Sequence, residues 1–195
     1  MKKTTIYFKY GCMNSGKSLE LMKVAYNYEE TGINPLVIKP KLDTRKKGEI
    51  TSRVGLSKIA WELGEDNIAE IKNQINHNTE VILVDESQFL SPEAIEELVK
   101  YSYECEVSSL MFFGLKSDFR GELFAGSKRI IELADKIEES TSICWCGRKA
   151  RQNARVVNGE IVKEGPTILV DDDINQVEYI TLCNYHYFKA QVKGE

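Results

Sequence analysis

The stretch GCMNSGKS, residues 11–18, follows the apolar run TTIYFKY (4–10) and opens into LELMKVAYNYEE (19–30). Gly11, Gly16, Lys17 and Ser18 satisfy G-x-x-x-x-G-K-[ST], with Cys12, Met13, Asn14 and Ser15 between them. In such a loop the glycines let backbone N–H groups curl around phosphate oxygens, the lysine neutralises them, and the serine hydroxyl ligates Mg²⁺. Four constrained positions arise by chance in roughly one chain in a hundred of this length. The context strengthens the match. A β-rich run precedes the loop, and Leu21, Met22, Ala25 and Tyr28 fall on one helical face after it, so the unpaired N–H groups of a helix N-terminus point at the anion.

Working outward, PLVIK (35–39), EVILVDE (80–86) and SSLMFFG (108–114) are short runs rich in β-branched and aromatic residues. With the run before the loop they make four candidate core strands of an α/β fold with a mostly parallel, buried sheet. Ile68, Ile71 and Ile75 form a second helical stripe, and Ser91 followed by Pro92 caps a helix over EAIEELVKYSYE (93–104). From Ser140 the texture changes to cysteines, glycine turns and two later strand-like runs, PTILV (166–170) and VEYITLC (177–183). The expected division is a P-loop α/β domain over 1–139 and a small metal-stapled domain with the C-terminal tail over 140–195.

The chain has 195 residues, 42% of them apolar, and a net charge of -4. That balance offers a polyanion no general attraction, so nucleic acid is a poor default partner and a small molecule a better one. The longest apolar runs are a few residues, which excludes a membrane span, and no signal peptide is visible. Five cysteines without a leader point to the cytoplasm, with thiols reduced or bound to metal.

A P-loop needs a carboxylate for its metal at the end of a nearby strand, and VILVDE supplies Asp85 and Glu86. Asp85 is the expected partner of Mg²⁺. Glu86 is then free to take a proton from a hydroxyl, as in a kinase, or to orient a water, as in an NTPase. Spacing alone does not separate the two.

Cys144, Cys146, Cys183 and His186 read C-x-C followed by C-x-x-H, and thiolates with an imidazole suit tetrahedral zinc. The first pair is one residue shorter than the usual minimum, so buried small hydrophobes or a redox pair remain alternatives. Cys12 and Cys105 have no partner pattern, and His77 reads as a surface residue.

With these motifs in hand the sequence resembles the type II thymidine kinases, deoxynucleoside kinases with a RecA-like P-loop core and a zinc-bearing lasso domain. The resemblance runs through nearly the whole chain on GCMNSGKS, KPKLDTR, VDESQFL, GLKSDFRGELFAGS, CWCGRKA and CNYHYF, in the family's order. It implies that residues 11–18, with Asp85, Glu86, Ser87 and Gln88, hold ATP, and that Ser18 and Asp85 hold Mg²⁺. Glu86 is implied as the general base toward a nucleoside 5′-hydroxyl. Arg45 is implied to stabilise charge on the transferred phosphoryl group, with Asp43 in the same loop. Met13, Phe89, Leu115, Phe119 and Phe124 look like the family's nucleoside pocket, and the four Cys/His ligands like its structural zinc site.

The lasso departs from the family pattern. Where members carry an IGG-like turn, this chain reads ILVDDDINQVEY (168–179), with Tyr179 keeping its place four residues before Cys183. Val170 and Tyr179 are the candidate base contacts. The resemblance also implies thymidine and ATP as substrates, deoxyuridine as a further acceptor, inhibition by the end-product dTTP, and a homotetramer. The competing reading is a P-loop ATPase whose zinc ribbon docks a protein or nucleic acid through Arg148, Lys149, Arg151 and Arg155. A noncatalytic nucleotide-binding protein is a blander third.

Overall fold

The computed structural model describes residues 4–167 and 177–193. Among them, six strands form one all-parallel sheet: β1 (Thr5–Gly11), β2 (Leu36–Pro40), β5 (Trp61–Leu63), β6 (Val81–Val84), β7 (Ser109–Gly114) and β8 (Lys136–Ser140). Their order is β5-β2-β6-β7-β1-β8, so the chain leaving β1 crosses over β7 and β6 before joining the sheet again as β2. The four runs expected as core strands are its four central members.

Period-two alternation explains why these runs are apolar throughout. Ile82 and Val84 face one side with Ile6, Phe8 and Phe112, under α3 (Pro92–Glu104) and α4 (Ala125–Leu133). Val81 and Leu83 face the other with Met111 and Phe113, under α1 (Lys17–Glu29), whose Leu21, Met22 and Ala25 are buried. A sheet covered on both faces leaves no solvent side on which to alternate polar residues. Ser91 caps α3, accepting a hydrogen bond from the Ala94 N–H at 3.3 Å, and Pro92 occupies the first turn.

The expected helix over Ile68–Ile75 is shorter than its stripe. Asn67 adopts φ -130° inside a 3-10 turn (Glu65–Glu70), where it accepts from the Gly64 N–H and donates to the Glu62 carbonyl, and only the single turn α2 (Ile71–Gln74) follows. A side chain that bonds local backbone competes with helix continuation. Ile71 and Ile75 are nonetheless buried.

A short hairpin, β3 (Glu49–Thr51) and β4 (Ser57–Ile59), stands beside the sheet. After β8 come the hairpin β9 (Ser142–Ile143) and β10 (Lys149–Ala150), then an antiparallel sheet of β11 (Gln152–Val157), β12 (Glu160–Val162) and β13 (Val177–Leu182). The helix α5 (Asn184–Phe188) follows. Among the described residues no helix is long and apolar enough to cross a membrane.

Candidate active site

Because all six strands run the same way, the loops after β1, β2, β6 and β7 gather at one sheet edge, where α/β folds bind ligands. The loop after β1 turns through Asn14 (φ 63°) and Gly16 (φ 79°), and Gly16 begins α1 in a left-handed conformation that a side chain would strain. Lys17 is 7% exposed, and its Nζ donates to the Cys12 carbonyl (2.8 Å) and Ser15 Oγ (3.3 Å). Burial lowers its pKa, against the opposing pull of Glu86 and Asp85. A buried ammonium met by two neutral oxygens suits an arriving phosphate.

Asp85 follows β6 and is 1% exposed. Its Oδ2 accepts from Ser18 Oγ at 2.8 Å, while Oδ1 has no hydrogen-bond partner. Burial, reinforced by the neighbouring Glu86 charge, pushes this carboxyl up to about 7, and the Ser18 bond only partly opposes it. An orphaned buried carboxylate oxygen beside a serine hydroxyl is the chemistry a hard divalent cation satisfies, so Ser18 and Asp85 fit Mg²⁺.

Glu86 sits at φ 46°, a strained conformation for a non-glycine residue that clusters at functional sites. Both its oxygens are engaged: Oε1 accepts from Arg45 (2.8 Å) and Oε2 from the Gln88 amide (2.7 Å), whose own Oε1 accepts from the Leu115 N–H (2.9 Å). The turn is pressed down from the other side by α4, where a Cβ on Gly126 would lie 2.5 Å from the Leu90 carbonyl oxygen. Arg45 in turn clasps Asp43 through two nitrogens (2.7 and 3.0 Å), and those bonds raise its pKa. Burial would lift Asp43, but Arg45 and the fully buried Lys39 outweigh it and hold the carboxyl below its ordinary value. Lys39 also donates to the carbonyls of Lys46 and Glu49, so Lys39, Asp43, Arg45 and Glu86 alternate in charge along one chain of contacts.

Lys17, Ser18, Asp43, Arg45, Glu86 and Gln88 line a cavity of about 650 Å³ that also has Met13, Asn14, Gly16, Phe89, Leu115 and Tyr179 on its walls. Gly11 ends β1, Cys12 packs into the apolar cluster around Cys144 and Tyr187, and Ser87 is buried. A pocket of about 40 Å³ shares Met13, Phe89, Leu115 and Tyr179 with the cavity, and adds Phe119, Phe124, Ser117, Asp118, Asn153 and Thr167. All the expected pocket residues that fall on described positions are therefore brought together; Val170 lies outside the described residues.

Cys144, Cys146, Cys183 and His186 also converge, with ligand atoms all within 4.8 Å of one another. The hairpin turn, closed by the Cys144 N–H to the Arg148 carbonyl (2.8 Å), carries the first pair, and Cys183 starts the α5 turn that carries His186. His186 Nδ1 lies 3.4 Å from Cys144 Sγ and 3.5 Å from Cys183 Sγ, and Cys146 and Cys183 Sγ are 3.9 Å apart. Tetrahedral zinc sets edges of about 3.6 Å for S···N and about 3.8 Å for S···S. The four residues could hold a metal, and the donor set and spacing fit zinc. Trp145 stacks on the His186 ring (centroids 4.1 Å apart, planes 16° apart) and fixes its orientation.

Two side chains in this region have placements that the local sequence does not show. Asn153 of β11 accepts from the Met13 N–H (2.7 Å) and donates to the Ser117 carbonyl (3.3 Å), joining the antiparallel sheet to the phosphate loop. Arg155, one of the four basic residues of the docking alternative, is 3% exposed and turned inward, and Lys149 pairs with Glu139 at 2.6 Å. That removes much of the charge the docking alternative needs. The signal available in the sequence was polar residues at alternate positions of a strand, Asn153 and Arg155, which pleating puts on one face.

Comparison with known proteins agrees with this geometry. Residues 4–187 match the family model described as Thymidine kinase. The chain is 42% identical to the thymidine kinase of Lactococcus lactis over 190 residues, covering 96% of this chain and 98% of the relative. It is 42% identical to that of Lactiplantibacillus plantarum over 186 residues (94% and 95%), and 39% identical to that of Enterococcus faecalis over 193 (97% of each). The P-loop, the acidic strand end and the four-ligand cluster thus occur in a chain that belongs to the thymidine kinase family.

Proposed function

We propose that this protein transfers the γ-phosphoryl group of ATP to the 5′-hydroxyl of thymidine, and of deoxyuridine, giving the nucleoside monophosphate and ADP for DNA synthesis by salvage. The observation that carries this reading is Glu86. Its carboxylate is held by Arg45 and Gln88 in the wall of the cavity that Lys17 lines, beside the aromatic pocket of Phe89, Phe119 and Phe124. The acceptor oxygen bonds to the γ-phosphorus as the bond to the bridging oxygen of ADP breaks, and Glu86 takes the hydroxyl proton. Lys17 and Arg45 neutralise charge on the phosphoryl oxygens. Bound through Ser18 and Asp85, Mg²⁺ would supply further charge stabilisation on the phosphates. An apolar pocket that excludes water keeps the alcohol from competing with hydrolysis. The same reading carries a homotetramer, dTTP as end-product inhibitor and a cytoplasmic location.

The direct test is ADP release from purified protein with Mg²⁺ and ATP, in the presence of thymidine, deoxycytidine, deoxyguanosine or no nucleoside. Thymidine-dependent release with dTMP as product is the expected result. Equal release without any nucleoside would make the chain an ATPase.

The zinc cluster has its own test. Cys146→Ser is expected to reduce bound zinc, measured by elemental mass spectrometry, and to raise the thymidine KM about tenfold or more, because β11 and β13 lose their anchor near the pocket. Full zinc occupancy with an unchanged thymidine KM would separate the cluster from nucleoside binding.

A further inference from the structure

Arg155 lies immediately behind the small pocket, and no carboxylate among the described residues pairs with it. Two of its three nitrogens donate to neutral oxygens instead. Nε donates to the Tyr179 hydroxyl (2.9 Å), one terminal nitrogen donates to the carbonyls of Pro166 (2.7 Å) and Thr167 (3.4 Å), and the guanidinium lies 3.7 Å from the centroid of the Phe119 ring. Arg120 holds Thr167 from another side, donating to its Oγ1 at 3.0 Å while bonded to Asp118. Phe119, Thr167 and Tyr179 are three walls of the pocket, and they come from three separate segments: the loop after β7, the segment after β12, and β13.

A buried cation is unfavourable unless its donors are satisfied, and a guanidinium is a rigid planar fork. Its bonds to Tyr179 and Pro166, and its stack on Phe119, can all form only when the three walls stand in one register. Lysine, with a single ammonium point, cannot reproduce the set.

We propose that Arg155 is the positioning residue that registers Phe119, Thr167 and Tyr179 as walls of the nucleoside pocket, so that nucleoside affinity depends on its guanidinium while ATP binding does not. This rests on the thymidine kinase reading above.

The test compares parent, Arg155→Lys, Tyr179→Phe and the double variant for thymidine KM, ATP KM, kcat, bound zinc and melting temperature. Arg155→Lys is expected to raise the thymidine KM about tenfold, with the ATP KM within about twofold of parent and zinc retained. Tyr179→Phe, which removes only the hydroxyl, should raise it about threefold, and the double variant should match Arg155→Lys alone, because the bond the second change removes is already gone. A thymidine KM unchanged in Arg155→Lys overturns the proposal. So does a parallel rise in both KM values with loss of zinc, which marks a general support of the fold. If Arg155→Lys does not fold, Tyr179→Phe decides alone, and an unchanged thymidine KM there overturns the proposal. A parent without thymidine-dependent turnover fails the underlying reading, whereas an active parent with an unaffected Arg155→Lys fails the Arg155 proposal alone.

Discussion

Glu86→Gln is expected to lower kcat about a thousandfold while leaving ATP binding nearly intact, as seen by single-turnover kinetics and by direct nucleotide titration. The substitution keeps the side chain's size and removes its capacity to take a proton. Its effect on geometry is bounded by the two bonds that fix Glu86: an amide oxygen can still accept from Arg45, but the amide nitrogen then faces the Gln88 donor. That clash disturbs local placement and leaves the phosphate loop untouched, because Lys17 is held by Cys12 and Ser15. Glu86→Asp separates the two causes. It keeps a carboxylate but withdraws it by one methylene, so it should lie between Gln and parent. Undiminished kcat in Glu86→Gln would remove Glu86 as the base, and Asp falling below Gln would make its role one of placement.

The parts of this site that sequence made legible are those in which local pattern and chemistry coincide. The loop GCMNSGKS needs its glycine and its lysine within eight residues, so its role is written locally. The same holds for DE at the end of VILV, and for two ligand pairs each carried on a single turn. The four central strands were legible because burial on both faces makes them apolar without alternation. The edge strands β5 and β8 were not. Trp61–Leu63 is three residues long and Lys136–Ser140 is partly exposed and charged, so neither carries the signature of a buried strand. The inward placement of Arg155 is hidden for the complementary reason. Its carbonyl and phenol partners lie at positions 166, 167 and 179, and nothing in a local basic run shows that the chain folds back over it.

Asp85→Asn is expected to do two opposite things, abolishing Mg²⁺-dependent turnover while raising the melting temperature of the magnesium-free protein by several degrees at pH 8. The sign follows from its titration. In the unfolded chain an aspartate loses its proton near pH 4, whereas burial, with Glu86 alongside, raises Asp85 to about 7 in the fold. Folding therefore takes up a proton between pH 4 and 7, and the native state loses stability relative to the unfolded chain as pH rises through that window, with the full penalty present above it. Asparagine carries no charge at any of these pH values and keeps an oxygen for the Ser18 hydroxyl. The gap in melting temperature between variant and parent should therefore be small at pH 4.5, widen through pH 7 and level off near pH 8, in buffer without magnesium or nucleotide. Adding Mg²⁺ and ATP should reverse the ranking, because the ligand stabilises the state that binds it and only the parent offers the carboxylate. A gap that stays flat with pH would show that Asp85 is not a strained buried acid. A parent that gains nothing from Mg²⁺ and ATP would show that the orphaned oxygen is not awaiting a cation.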